Sequence, residues 1–270
     1  MLTIDWKERL DKDTEDYFID KLPKKDYDFE IIFIAYPERV NGKIPPDVII
    51  HVAGTLLKCM GKNHEQYAPF IKHLWARKGE YGRQAFVQII SKLFPKRPMV
   101  YLPILEAALA SANPAEMNMI MERVMLPLLR KSPEKYLPQI YAWSKSDNPE
   151  LRKQAMNTAI KLIKKVPEQL REVFGHYQHL WYYPLEDNAA EHIQLFKTVG
   201  KLDPEYFLEV ARSFENNRDP QIVELVCGSI QDYDAELERI VGDWTKSGNA
   251  RVKKAATAAQ RLLSRKRGKA

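Results

Sequence analysis

The sequence predicts an all-α fold, a right-handed α-solenoid (alpha-alpha superhelix) of about six or seven antiparallel helix pairs. Two observations lead to this prediction. Apolar residues recur with the helical period in most segments, while few stretches alternate with the period of a strand. Short turn sequences interrupt these segments roughly every 30 to 40 residues, which is the length of one helix pair in a solenoid.

The helical period is clearest in three segments, where apolar residues share one face of the predicted helix. These residues are Ala85, Phe86, Ile89, Ile90 and Leu93; Met117, Ile120, Met121, Val124, Met125 and Leu128; and Leu151, Ala155, Ala159, Leu162 and Ile163. A lone helix pair cannot cover such a face by itself, so neighbouring pairs must stack against it.

The turn sequences carry signals for the start of a helix. In SDNPE, the side chain of Asn148 or Asp147 can accept the free N–H groups of the next helix, and Pro149 suits its first position. Asn113-Pro114 and Asp219-Pro220 repeat the device. Similar breaks occur at GEYG, EDNAAE and SGNAR, near residues 79, 188 and 249.

These signals divide the chain into three predicted parts. Residues 47–262 are predicted to form the helical-repeat domain. Residues 1–46, rich in Asp and Pro, are predicted to form an irregular N-terminal cap. Residues 263–270 are predicted to be a basic C-terminal tail.

One sequence frame occurs twice, as YAWSKSDNPELRKQA and as GDWTKSGNARVKKAA. The corresponding residues lie 101 positions apart, for example Trp143 and Trp244, or Lys145 and Lys246. Most of the frame has the pattern of a turn between two helices of a repeat: the end of one helix, an N-cap residue and the start of the next helix. Its paired basic residues are the part that could bind a partner.

Charge is unevenly distributed along the chain, whose formal net charge is +6. Residues 1–40 hold eleven acidic and seven basic residues, whereas residues 243–270 hold nine basic residues and a single acidic one. This bias favours an anionic partner, with nucleic acid ahead of membrane. A solubilising terminal tail is the alternative.

Targeting and redox signals are few. The N-terminus lacks a signal-peptide pattern, and no apolar run approaches the ~20 residues of a membrane span. Cys59 and Cys227 are isolated, which is typical of a reducing compartment. We therefore expect a cytoplasmic protein, and a monomer.

The pattern resembles HEAT repeats, and more narrowly the HEAT-like DNA alkylation repair proteins, which include bacterial alkylpurine glycosylases. The resemblance covers about residues 70–165 and 203–262. It rests on HLWARKGEYGRQAFVQIISKLF, YLPQIYAWSKSDNPELRKQA and IVELVCGSIQDYDAELERIVGDW. The order and spacing of these segments agree with that family. Its shorter members lack the block 166–202, which would add a helix pair.

The departures from that family concern its active site. Its Trp-Asp pair falls on Pro114 and Ala115, its second aromatic on Ser229, and its active-site arginine on Lys153. Glu116 could replace the lost carboxylate only if the helix were rotated or its register slipped by one residue. The resemblance therefore implies a retained anion-binding surface without glycosidic-bond hydrolysis, which needs an anion beside the developing oxocarbenium.

Other candidate chemistry is weak. His176, His179 and His192 lack the further ligands of a zinc site, and no nucleophile or phosphate-loop motif is present, so we expect no metal and no cofactor. Tyr177, Trp181 and Tyr182 could stack on unpaired bases, although packing between repeats is the commoner use of such a cluster.

The basic residues near the start of each second helix occupy equivalent places in the repeat. Second helices usually line the concave surface of a solenoid, where these cations could contact the backbone of duplex DNA. They are Arg83, Arg152, Lys153, Arg251, Lys253 and Lys254. The alternatives are that they balance acidic residues of the neighbouring repeat, that the concave face binds a protein, or that an active glycosylase uses Glu116.

Overall fold

The computed structural model describes residues 4–22, 28–76 and 79–268, and in these ranges the chain is all-α, without a β-strand. The chain divides into two compact units, Met1–Leu128 and Leu129–Ala270. The predicted repeat domain, 47–262, spans parts of both. Each unit is described by itself.

The first unit contains six α-helices within its described residues. They are α1 (Ile4–Lys21), α2 (Pro46–Met60), α3 (Ala68–Ala76), α4 (Glu80–Leu93), α5 (Pro98–Ser111) and α6 (Pro114–Ile120). Tighter 3-10 turns occupy Phe29–Phe33 and Gly61–Tyr67. A π-turn at Met121–Met125 joins α6 to α7 (Leu126–Lys131), where the first unit ends.

The second unit continues with four pairs of helices. They are α8 (Pro133–Trp143) and α9 (Pro149–Ile163), α10 (Leu170–His179) and α11 (Ala189–Leu202), α12 (Pro204–Ser213) and α13 (Pro220–Ser229), and α14 (Ala235–Trp244) and α15 (Ala250–Arg267). Short 3-10 turns at Leu180–Tyr182 and Glu186–Asn188 precede α11.

The predicted helix starts are confirmed. Asn148 accepts hydrogen bonds from the backbone N–H groups of Glu150 and Leu151, and Pro149 is the first residue of α9. Asp219 and Asn249 cap α13 and α15 in the same way. These side chains satisfy N–H groups that the helix leaves without an acceptor.

The predicted apolar faces are buried, with one exception that has a local cause. Met117, Ile120 and Met121 are core residues, but Leu128 is only half-buried and Leu129 takes its place in the core. The π-turn at Met121–Met125 adds a residue to one helical turn and so shifts the inward position by one.

The predicted boundaries differ from the structure at both ends. In the predicted irregular cap, residues 4–21 form the 18-residue helix α1. Leu10, Thr14 and Tyr17 are spaced by four and three residues, so they share one buried face. In the predicted tail, α15 continues to Arg267 and Leu263 is buried.

Within each unit, the contacts between helices join one pair to the next. In the second unit α9 packs on α11, α11 on α13, and α13 on α15, while α12 packs on α14. Several of the longer-range hydrogen bonds join residues 32 to 37 positions apart, while those between α12 and α14 span 24. Trp75 donates to Ser111, 36 residues later, and Arg171 donates to Asp203, 32 residues later. The contact distance along the sequence thus matches the repeat length of the turns.

Candidate nucleic-acid interface

Arg83 of the first unit is held in an ion pair. Its guanidinium donates to a carboxylate oxygen of Glu116 and lies 5.3 Å from the ring centre of Trp75. The other oxygen of Glu116 accepts the backbone N–H of Asn113 at 2.9 Å, which completes a capping box at the start of α6. Arg83 therefore joins α4 to α6, and its charge is balanced.

Arg152 of the second unit is more heavily bonded. Its Nε donates to Asn188 at 2.9 Å, one terminal nitrogen donates to the Ser146 carbonyl at 3.0 Å, and the other donates to Glu186 at 2.7 Å. Its side chain is 21% exposed. These bonds tie the start of α9 to the turn before α11, so Arg152 is a structural residue.

Two further predicted contact residues are also paired. Lys153 lies 3.8 Å from a carboxylate oxygen of Glu191 on α11. Arg251 makes a bidentate pair with Glu224 on α13, at 3.0 and 2.6 Å, and the hydrogen bonds to this carboxylate raise the pKa of the guanidinium. Four of the six predicted cations thus follow the alternative in which neighbouring helices neutralise them.

Lys253 and Lys254 are different, because both are exposed and neither has an ion-pair partner among the described residues. Arg261 and Arg265, later on α15, share this state. We call Lys253, Lys254, Arg261 and Arg265 the α15 face. Lys266 and Arg267 are outside it, since they pair with Asp232 at 2.9 Å and Glu238 at 3.3 Å.

The α15 face follows from helical spacing. Lys254, Arg261 and Arg265 are separated by seven and four residues, so they form a line along the helix opposite the buried Val252, Ala256 and Leu263. At about 1.5 Å of rise per residue, this line extends over roughly 16 Å. Lys253 flanks it.

The aromatic candidates divide into core and surface. Tyr177 is fully buried, and Trp181, 1% exposed, packs against Phe174 and Phe196. The prediction of base stacking is therefore wrong for Tyr177 and Trp181, whose rings a base cannot reach. Tyr182 is 64% exposed, so its ring is accessible.

Two of the three candidate histidines, His176 and His192, are packed against other side chains. His176 stacks on Tyr141, and its Nε2 lies 3.2 Å from the Ser144 hydroxyl. Burial lowers the pKa of His176, and that of His192, to about 4. His179 is exposed. Across the described ranges, no group of three or more His, Cys, Asp or Glu side chains is placed to hold a metal ion.

The residues that the resemblance aligns with the glycosylase active site belong to different units. Ala115 and Glu116 border a cavity of about 370 Å³ in the first unit, where both oxygens of Glu116 are already bonded. Ser229 is buried in the second unit, with its hydroxyl 2.7 Å from the Leu225 carbonyl. Lys153, which corresponds to the family's arginine, pairs with Glu191.

Arg261 and Arg265 are exposed cations that the repeat pattern in the sequence does not single out. The repeat pattern predicts contact residues at the start of each second helix, whereas Arg261 and Arg265 lie in the later turns of α15. The signal that could have found them is the dense positive charge of residues 243–270, combined with their spacing of four.

No family model matches the chain, and no curated protein or solved structure matches it either. The resemblance to alkylation repair proteins therefore rests on the quoted segments alone. Within the described residues, every helix is too short or too polar to cross a bilayer.

Proposed function

We propose that the protein is a non-catalytic, HEAT-like α-solenoid that binds nucleic acid through phosphate contacts. The equivalent N-caps and the 32- to 36-residue spacing of Arg171–Asp203 and Trp75–Ser111 support the solenoid. We place the contacts on the α15 face and not on Arg83 and Arg152, because the charges of these two arginines are balanced by Glu116 and Glu186.

The α15 face carries the proposal because its cations are both unpaired and aligned. A cation that already holds a carboxylate gains little from a phosphate, since the carboxylate must first be displaced. Lys254 and Arg261 have no such competitor among the described residues. Binding would neutralise several phosphates and release their counterions, so it would weaken steeply with salt.

The composition of the α15 face also favours a polyanion over an apolar protein partner. The exposed apolar side chains of the helix α15 are alanines, and none of the large exposed hydrophobic residues lies on this helix. Phosphate contacts of this kind position a nucleic acid without reading its sequence. We therefore propose backbone-directed binding of duplex DNA.

A second candidate function, a protein-binding scaffold, has support in the first unit. Ile34, which is 73% exposed, and Ile31 border a groove of about 400 Å³. Asp13 and Asp16 of α1 line the same groove. Exposed apolar residues beside charged ones are typical of a peptide-binding surface.

Catalysis is not part of the proposal, because Glu116 is the sole carboxylate that the resemblance offers. Its two oxygens are bonded to Arg83 and to the Asn113 backbone, so the group acts as a helix cap and a salt-bridge partner. An assay for release of methylated purines from DNA checks this reading. Base release that Glu116→Gln abolishes would establish the glycosylase function instead.

The test of nucleic-acid binding is the salt dependence of affinity for a fluorescent DNA duplex. The double variant Lys254→Gln/Arg261→Gln should flatten the slope of log K against log salt by about 2, at roughly 0.9 per lost phosphate contact. The matched control is Arg212→Gln/Lys246→Gln, which removes the same charge from cations paired with Glu236 and Asp243. An equal slope change in both variants would contradict binding by the α15 face.

A further inference from the structure

A small cavity of about 130 Å³ lies in the second unit, between the early turns of α9 and α11 and the turn 180–185. Met156, Leu180 and Leu185 form its apolar side. At ~30 Å³ for each water molecule, the volume equals roughly four waters. The cavity therefore fits one small polar group and is too small for a nucleoside.

His192 supplies the first polar group of this cavity. It is 2% exposed, and its Nδ1 accepts a hydrogen bond from the Trp181 indole N–H at 3.1 Å. Because an indole nitrogen can only donate, the proton of the neutral imidazole must be on Nε2. The described residues offer no hydrogen-bond acceptor to this Nε2–H, although His192 lines the cavity.

Arg152 supplies the second group, in a fixed position. Its bonds to Asn188, Ser146, Asp147 and Glu186 use four of the five guanidinium N–H groups and hold the side chain at the cavity wall. One N–H remains. Because the side chain is already immobilised, little conformational entropy is lost when this N–H binds a ligand.

Lys145 supplies the third group and the net charge. It is exposed at the cavity mouth and has no carboxylate partner among the described residues. No acidic side chain is part of the described cavity lining, and Glu186, which balances Arg152, reaches it from outside the lining. The polar wall therefore combines hydrogen-bond donors with an unbalanced positive charge.

We propose that this cavity binds the phosphate group of a phosphate monoester. A tetrahedral oxyanion offers at least one acceptor oxygen to each of Lys145, Arg152 and His192, whereas a carboxylate offers two oxygens in all. Tyr183 lines the mouth and is exposed, so its ring can pack against the group that carries the phosphate. This site is separate from the α15 face and does not depend on it.

The test is an NMR titration of the imidazole signals of His192 at neutral pH. Inorganic phosphate should shift these signals saturably, and a nucleoside 5′-monophosphate should do so at lower concentration if Tyr183 contacts the nucleoside. The unphosphorylated nucleoside should have no effect. His179, which is exposed and outside the cavity lining, reports non-specific changes in the same spectra. Parallel shifts of His179 and His192, or no saturation, would overturn the proposal.

Two lysines provide matched variants for the same titration. Lys145→Gln should weaken phosphate binding on the order of tenfold, as expected when a hydrogen bond between charged groups is lost. Lys246 is its counterpart in the second copy of the frame and pairs with Asp243, so Lys246→Gln should leave the affinity unchanged. Both side chains are exposed, so neither substitution should prevent folding. Equal affinities of the two variants would reject the assigned role of Lys145.

Discussion

The two copies of the repeated frame differ in their surroundings more than in their own structure. In both, a buried tryptophan ends one helix and an asparagine caps the next, through Trp143 and Asn148 or Trp244 and Asn249. The distance from the backbone nitrogen of this asparagine to the Oγ of the serine two residues earlier is also the same, 3.2 Å in each copy. The local sequence thus determines the turn.

The basic residues of the two copies have different partners. Arg152 bonds to Glu186 and Asn188, which belong to the following helix pair, whereas its counterpart Lys253 has no partner among the described residues. The turn before α11 supplies the partners of Arg152, whereas no described residue supplies one to Lys253. The same position is therefore a structural link in one copy and an exposed cation without an ion-pair partner among the described residues in the other.

The largest effect that would test this difference is the loss of Arg152. Arg152→Met should lower the free energy of unfolding by about 2 to 4 kcal/mol, because it leaves Asn188 and the Ser146 carbonyl without their donor. Lys253→Met, the matched change in the terminal copy, should leave stability within experimental error. Urea unfolding monitored by circular dichroism measures both. Similar losses in the two variants would show that the copies are equivalent.

A smaller effect arises from His192, a buried histidine next to the internal copy. Its folded pKa of about 4 lies below the ordinary value of 6.5, because burial disfavours the charged ring. The unfolded chain therefore binds a proton below pH 6.5 that the folded chain does not, and stability falls as the pH drops towards 4. Between pH 7 and pH 5 the loss expected from His192 alone is about 2 kcal/mol.

Urea unfolding at these two pH values measures that loss, and His192→Gln isolates the contribution of the ring. His176, whose pKa burial also lowers to about 4, and carboxylates with lowered pKa values such as Asp203 lose stabilisation in acid as well, but they do so equally in both proteins. The informative quantity is the difference between the two pH dependences. A pH dependence unchanged by His192→Gln would contradict the assignment.

The smallest effect should be the same in both copies. Asn148→Ala and Asn249→Ala each remove a side chain that accepts two backbone N–H groups, so each should cost about 1 kcal/mol. Thermal or urea unfolding measures the two losses. A loss of stability in Asn148→Ala alone would show that α15 does not require its N-cap. The two copies would then differ in the turn itself.

The local features of the fold were predictable from the sequence. The caps at Asn148 and Asp219 depend on neighbouring residues, and the inward positions of α4 and α9 follow from the helical period. The helix α1 was missed because its many charged residues obscure the apolar face formed by Leu10 and Tyr17.

The state of each candidate site residue was less predictable, since it depends on residues one repeat away. The spacing that places Arg152 at the start of α9 does not reveal that Glu186, 34 residues later, neutralises it. The local sequence likewise does not reveal that Arg261 is exposed and has no carboxylate partner among the described residues. The neighbouring sequence predicts where a residue lies in its helix pair, but it does not predict whether a carboxylate neutralises that residue.

The 101-residue interval between the copies corresponds to three helix pairs, from α8 and α9 to α14 and α15. In the second unit each helix pair packs mainly against the pair before it and the pair after it. A gene encoding such a chain could gain or lose a pair by in-frame duplication or deletion without a new core having to evolve. Each such event would also change which cations face a carboxylate of a neighbouring pair and which do not.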